Sequence, residues 1–115
     1  MFVNDAIGYG MTPEQPLYFS DNCFGTADAI GFKSRILRVH DLKTGVTDAS
    51  MDQLHIYDSL FCLEYGVDPK SISIINRIYQ NDDIDEDEAD SDEIAFIMDK
   101  IMVFDKLIIK LKEEG

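Results

Sequence analysis

Residues 25–45, GTADAIGFKSRILRVHDLKTG, alternate apolar with polar side chains on both sides of a short basic turn, Lys33-Ser34-Arg35. Alternation with a period of two is typical of half-buried strands, so this stretch predicts a β-hairpin. Strands are depleted in acids, yet Asp28 stands on the first predicted strand and Asp41 on the second. We expect these two carboxylates either to face water or to form part of a site.

The hairpin geometry favours a site. Side chains alternate across a strand, so Asp41 and Lys43 share one face, and a closed hairpin brings Asp28 near Asp41. Two carboxylates a few ångströms apart repel each other unless one is protonated or a cation bridges them. A hard divalent cation such as Mg²⁺ accepts carboxylate and carbonyl oxygens, so the Leu42 carbonyl would be a third ligand. Lys43 would then orient or deprotonate an attacking water, as in metal-assisted phosphodiester hydrolysis.

The flanking patterns predict one domain over residues 1–115. Ser50 followed by Gln53 has the spacing of a capping box, and Gly66 is suited to the left-handed residue that ends a helix. Residues 1–15 contain two glycines and Pro13, with Pro16 directly after them, and predict irregular backbone, with at most the end of a short helix over Asp5–Gly8. The remaining predicted elements are a strand at 17–20, hairpin strands near 26–32 and 36–42, a turn at 44–47, a helix at 50–65, a strand at 72–79, an acidic loop at 81–91 and a C-terminal helix at 92–113.

This order predicts an α/β (α+β) fold, in which a small mixed β-sheet with a central β-hairpin is flanked by helices. No apolar run approaches the roughly 20 residues that span a bilayer. The N-terminus lacks the basic start and apolar core of a secretory signal. Two cysteines, Cys23 and Cys62, are too few for a disulfide framework, so we expect reduced thiols in a cytoplasmic protein with no membrane partner.

The net charge of −13 is concentrated in one segment, since nine of the 23 acids lie in residues 82–93. An acidic total weakens a nucleic-acid interpretation without excluding one, because nucleic-acid binding depends on cationic side chains. We expect a solvated loop here. A DNA mimic or a protein-docking tract is the alternative.

Asp28, Asp41-Leu42-Lys43 and the helix segment Gln53-Leu54-His55-Ile56-Tyr57 together resemble the PD-(D/E)XK nuclease superfamily, in its RecB-like and phage-exonuclease branch. The resemblance covers about residues 17–80 and implies a restriction-endonuclease-like core. It implies that Asp28, Asp41 and the Leu42 carbonyl bind Mg²⁺ or Mn²⁺. It further implies that Lys43 acts on the attacking water, and that Gln53 and Tyr57 orient the site or contact DNA.

The chain departs from this family in two respects. RecB-like nucleases usually carry a further acidic or histidine ligand on an upstream helix, and no such helix is evident before Asp28. Glu14 and Asp5 are the candidates for that role. The branch that holds an iron–sulfur cluster needs four cysteines, and this chain has two.

Each site residue also has a structural explanation. The three strand residues of the site could be solvated side chains on an exposed sheet face. Gln53 could complete the Ser50 capping box, and Tyr57 could belong to the apolar stripe of its helix. His40 and His55 have no partners at metal-ligand spacing and are left out of the site.

Two functions follow from the sequence. The first is a metal-dependent deoxyribonuclease, exonucleolytic and of phage or mobile-element origin. The second is a non-catalytic protein of the same fold, or an acidic DNA mimic, that binds a nucleic-acid-handling partner. The C-terminal helix has surplus apolar residues that predict a homo-oligomer, among them Ile97, Met98, Ile101, Phe104 and Ile108.

Overall fold

A computed structural model describes residues 1–44 and 50–114. Its elements, in chain order, are α1 (Phe2–Gly8), β1 (Thr12–Ser20), β2 (Cys23–Lys33), β3 (Ile36–Lys43), α2 (Met51–Tyr65), a 3₁₀ turn (Pro69–Ser71), β4 (Ser73–Gln80), β5 (Asp83–Glu88) and α3 (Ser91–Glu114). The predicted turn at 44–47 falls mostly outside the described residues. In the part of the chain that the structure describes, no helix is both long and apolar enough to cross a membrane.

The five strands form one mixed sheet in the order β1-β2-β3-β4-β5. Neighbouring strands are antiparallel except β3 and β4, which are parallel and are joined through α2. A parallel pair requires such a crossover connection, which a helix usually supplies. The predicted mixed α+β fold with a central hairpin is therefore confirmed.

The hairpin turns more tightly than its sequence suggests. Lys33 pairs directly with Ile36, so Ser34 and Arg35 alone form the loop, with φ values of 53° and 64°. Positive φ at both positions defines a type I′ turn, whose backbone twist matches that of the flanking strands. Such turns usually contain Asn-Gly, and a side chain as large as arginine is unfavourable there. The twist of the sheet is thus achieved at some conformational cost at Arg35.

One face of the sheet packs against α2, and α3 packs against α2 in turn. The core combines apolar residues from strands β1 to β4 and from both long helices: Leu17, Ala27, Ile30, Leu37, Val39, Leu54, Leu60, Phe61, Cys62, Ile74, Ile78 and Ile94. Helix α2 begins at Ser50, whose hydroxyl accepts the Asp52 amide, and ends at Gly66, whose φ is 65°. Both predicted ends of this helix are confirmed.

The expectation of irregular backbone over residues 1–15 was wrong, except that a short helix does end at Gly8. Residues Phe2–Gly8 form α1, and β1 begins at Thr12 rather than near residue 17. Proline cannot donate to a strand ladder, which made Pro13 and Pro16 resemble strand breakers. Because β1 is an edge strand, however, it tolerates prolines whose nitrogen faces away from the neighbouring strand.

The expectation of an acidic loop over 81–91 was also wrong, since β5 occupies most of it and pairs with β4. Strand propensity disfavours six consecutive residues of which five are acids. An edge strand keeps such side chains hydrated, and two side chains of the core elements, the Arg77 guanidinium and the His55 ring, contact the acids of β5. Arg77 Nε lies 2.6 Å from Glu86, and His55 Nε2 lies 2.6 Å from Asp87.

Candidate metal and phosphodiester site

The site begins where strands β2 and β3 separate. Their ladder runs from Lys33↔Ile36 to Ala29↔His40 and stops there. Beyond it, Asp28 Oδ2 accepts the backbone N–H of Leu42 at 2.9 Å. The Leu42 amide thus bonds to a carboxylate where a regular ladder would supply a backbone carbonyl. This hydrogen bond holds the Asp28 side chain against the end of β3.

Asp41 lies beside Asp28 and is only 7% exposed. Burial raises the pKa of the Asp41 carboxyl to about 6, and a hydrogen bond with Asp28 adds to the increase. Lys43 opposes it, because Lys43 Nζ lies 3.0 Å from Asp41 Oδ2. The structure therefore brings the two carboxylates together closely enough for Asp28 to disfavour the charged form of Asp41.

A chain of hydrogen bonds extends from these carboxylates to α2. Lys43 Nζ donates to Gln53 Oε1 at 3.1 Å, and Gln53 Nε2 donates to the Tyr57 hydroxyl at 2.8 Å. The hydrogen bond to Asp41 raises the pKa of the Lys43 ammonium. Burial raises the pKa of the Tyr57 hydroxyl, and the nearby Asp41 charge adds to it. One connected cluster therefore contains the four predicted polar residues Asp41, Lys43, Gln53 and Tyr57, with Asp28 adjoining it.

The position of Gln53 distinguishes between its two explanations. Ser50 caps α2 through the Asp52 amide, and the Gln53 side chain bonds to Lys43 and Tyr57. The predicted capping box is therefore only half present. Tyr57 meets both expectations, since its ring packs against the core while its hydroxyl reaches the cluster.

Gly25, which the sequence analysis did not assign to the site, is required by Tyr57. A Cβ atom at residue 25 would lie 2.7 Å from Cε1 of the Tyr57 ring. A glycine within a strand often marks a place where another group approaches the backbone closely, so Gly25 could have been identified from the sequence on this ground. Gly25 therefore sets the depth at which the Tyr57 ring lies over the sheet.

The two candidates for an additional acidic ligand lie in different places. Asp5 accepts the hydroxyl of Tyr79 at 2.7 Å and pairs with Arg77, on the sheet face away from α2. Glu14 is exposed, with a φ of 48°. The pairs on either side of it, Pro13↔Ala29 and Gln15↔Ala27, place Glu14 across from Asp28. Asp5 is thereby separated from the site, whereas Glu14 lies one strand away from it.

The donor set suits a hard cation. Mg²⁺ is commonly bound through one or two carboxylates while keeping several waters, and Asp28 and Asp41 provide two converging carboxylates. The Leu42 side chain is 45% exposed, and its amide is occupied by Asp28. Within residues 1–44 and 50–114, no cluster of three or more His, Cys, Asp and Glu side chains has the geometry of a metal site.

An acidic row borders the site. Two acids of β5 lie two strands away from the cluster, on the far side of β4. Asp85 aligns with Asp41 through Ile78, and Asp83 aligns with Lys43 through Gln80. That separation is about 10 Å at the usual spacing of strands. Directly opposite residues share a sheet face, so this row adds negative potential on the side where Asp41 lies. The row favours cations and opposes a free phosphodiester.

A second polar cluster lies deeper, between α2 and β4. Asp58 and Asn76 are both fully buried, and Asn76 Nδ2 donates to Asp58 Oδ2 at 2.7 Å. Among the described residues, their other side-chain oxygens have no hydrogen-bond partner. Burial raises the pKa of the Asp58 carboxyl to about 7, partly opposed by the hydrogen bond from Asn76. The sequence analysis did not identify this pair, because its two members are 18 residues apart and each resembles an ordinary polar residue.

No protein-family model matches the chain, and neither does any curated protein. Among solved structures it is similar to one described as "Crystal structure of SSO0001", with 12% identity and a TM-score of 0.47. The match covers 90% of this chain, which spans 56% of the length of that one. Similarity at this level carries no functional argument, so the function has to be inferred from the site itself.

Proposed function

We propose that this protein is a metal-dependent deoxyribonuclease of the PD-(D/E)XK type that uses Mg²⁺ or Mn²⁺. The observation that supports the proposal is the connected cluster at the open end of the β2–β3 hairpin. It joins two carboxylates, a lysine, a glutamine and a tyrosine from three separate elements. Isolated solvated side chains have no reason to converge in this way.

The residues take distinct roles in the proposed reaction. Asp28 and Asp41, with the Leu42 carbonyl, would hold the cation. That cation, when bound, supplies charge neutralisation and a nucleophile at neutral pH. The side-chain oxygen of Gln53 accepts a hydrogen bond from Lys43, and its side-chain nitrogen donates one to the Tyr57 hydroxyl. Gln53, itself held by Tyr57, therefore fixes the orientation of Lys43.

The lysine acts as a cation in this arrangement. Its pKa is raised by Asp41, so the ammonium form dominates at neutral pH. An ammonium cannot take a proton from water, but it can orient one and stabilise the negative charge that develops on a phosphorane. We therefore assign Lys43 to positioning and charge stabilisation rather than to general-base catalysis.

The test is cleavage of end-labelled linear DNA, double- and single-stranded, with Mg²⁺, Mn²⁺ or EDTA. Metal-dependent cleavage should disappear in Lys43→Ala and persist in Lys70→Ala, which removes an exposed lysine remote from the cluster. Cleavage that survives in Lys43→Ala would contradict the assigned site. Covalently closed circular DNA tests the exonuclease assignment, since an exonuclease leaves it intact. The proposed setting is cytoplasmic processing of phage or mobile-element DNA.

The acidic row on β5 favours a second candidate, a non-catalytic protein of this fold that binds the cationic surface of a nucleic-acid-handling partner. Binding of this kind should weaken in Asp83→Asn/Asp85→Asn and be unaffected by Asp28→Asn. The nuclease should respond in the opposite way, with better DNA binding at low salt when the row is neutralised and no cleavage when Asp28 is changed.

A further inference from the structure

Helix α3 has two apolar faces, and the protein itself covers only one. Ile94 is fully buried, and Ile97, Met98 and Ile101 pack against the core. These include most of the residues expected from the sequence to support an oligomer, which are therefore used internally. A second set of large apolar residues is between 48% and 63% exposed: Phe96, Val103, Phe104, Leu107 and Leu111.

These five residues, which we call the outer stripe, lie along one side of α3, with the exposed Lys100 between Phe96 and Val103 and its ammonium over the Phe96 ring. Their spacings of three, four and seven place them on the same side of a helix with 3.6 residues per turn. Beside the stripe, a cavity of about 500 Å³ separates α3 from α2, and its lining includes Ile56, Ile101, Phe104 and Ile108. An apolar patch of this kind on a helix is typical of a protein–protein interface.

We propose that the outer stripe binds the outer stripe of a second copy of this chain, with the two α3 helices antiparallel about a two-fold axis near residues 103 and 104. The proposal does not depend on the nuclease activity. An isologous interface is the commonest arrangement in homo-oligomers, and it requires a surface that is complementary to itself.

The charge distribution makes α3 a face on which two copies of the chain repel each other little. Helix α3 holds six acids and four lysines, a net charge of −2 that leaves −11 on the rest of the chain. Two molecules with this much negative charge repel each other least where their faces are nearly neutral. Among the described elements, α3 provides such a face together with apolar area.

The order of the charges favours the antiparallel arrangement. Asp99, Lys106 and Lys110 lie along the same flank of the outer stripe, at helical spacings of seven and four. In an antiparallel pair this flank of one helix lies beside the same flank of the other helix, with the chain direction reversed. With the axis near residues 103 and 104, Asp99 therefore faces the segment between Lys106 and Lys110 of the partner subunit, and the same contact recurs across the axis. A parallel pair would instead bring the acidic starts of both helices together.

The first test is the mass of the protein in solution at about 100 μM by analytical ultracentrifugation. We expect twice the 13.1 kDa of the chain. Leu107→Glu should give the monomer mass, and Ile109→Glu should remain dimeric, because Ile109 is also exposed on α3 but lies outside the stripe. Far-UV circular dichroism shows whether each variant is folded. A monomeric wild-type protein would overturn the proposal and leave the stripe to a different partner.

The second test measures orientation. Asp99→Lys should weaken dimerisation by opposing two lysines, and Asp99→Lys/Lys110→Asp should restore it. Oxidation of Val103→Cys, in a Cys23→Ser background, should form a cross-linked dimer across the axis, whereas Phe96→Cys should not. Rapid cross-linking of Phe96→Cys would show a parallel pair and refute the antiparallel arrangement.

Discussion

Replacing the buried Asp58 with asparagine should make the protein more stable at high pH and leave it nearly unchanged at low pH. The Asp58 carboxyl has an ordinary pKa of 3.8, and burial raises it to about 7. A raised pKa in the folded state means that stability is fully present below the ordinary pKa and is lost as the pH rises through the raised one. The contribution of Asp58 to the free energy of unfolding should therefore fall between about pH 4 and pH 7.

The size of the effect follows from the shift. One pKa unit corresponds to 1.36 kcal/mol, so a shift of about three units gives up to about 4 kcal/mol above pH 7. The full conversion is appropriate because Asp58 is completely buried. The neighbouring groups are Asn76 on β4, His55 on α2 and Asp87 on β5. Asparagine at position 58 can accept from Asn76 and also donate to its unpaired oxygen, so the substitution retains the contact.

The assay is urea denaturation of the wild-type protein and Asp58→Asn from pH 5 to pH 8 in EDTA. The stability gained by the variant should grow by about 3 kcal/mol across this range, at 1.36 kcal/mol per pH unit up to about pH 7. Asp52→Asn, an exposed change on the same helix, serves as the control for loss of a carboxylate. A difference between Asp58→Asn and the wild type that does not vary with pH would refute the reasoning.

Three further predictions concern other positions. Gly25→Ala should displace the Tyr57 ring from its 2.7 Å approach and cost about 1–3 kcal/mol of stability in urea denaturation, with loss of any cleavage that depends on Lys43. Gly31→Ala, whose nearest neighbour is the flexible Met11 side chain, is the matched control. Arg35→Gly should stabilise the hairpin by about 1 kcal/mol by relieving the φ of 64°, whereas Lys33→Gly should not, and the same denaturation assay compares them. We expect Mg²⁺ to raise the melting temperature of the wild-type protein at pH 7.5 and Asp41→Asn to abolish that increase. The increase should shrink as the pH falls through about 6, where the Asp41 carboxyl becomes protonated.

The hairpin and helix α2 could be predicted from local patterns, because alternation and capping residues act over a few positions. The same patterns predicted that a closed hairpin brings Asp28 near Asp41 and Lys43, whereas Gln53 and Tyr57 were added to the candidate site by the family resemblance. The edge strands could not be predicted this way. Their prolines and acids are unfavourable in the middle of a sheet and acceptable only at its edges. Edge position is a property of the assembled sheet, which no local pattern reports.

Three features of the site region depend on tertiary packing. The close approach of Gly25 to Tyr57 needs a strand and a helix that are remote in sequence to meet at a fixed depth. The Asp58–Asn76 pair needs the β3–α2–β4 crossover. The role of Gln53 was ambiguous in the sequence, because a glutamine at that spacing serves a helix cap equally well.

The bond between Asp28 and the Leu42 amide makes that amide a spectroscopic reporter of the site. In the free protein the amide proton is shielded by a carboxylate, so its exchange with solvent measures how long Asp28 stays on β3. A cation that recruits Asp28 competes for the same oxygen. The ¹⁵N–¹H signal of Leu42 should therefore move on titration with Mg²⁺, even in a Lys43→Ala protein that cleaves nothing. One backbone resonance thus follows loading of the site independently of catalysis.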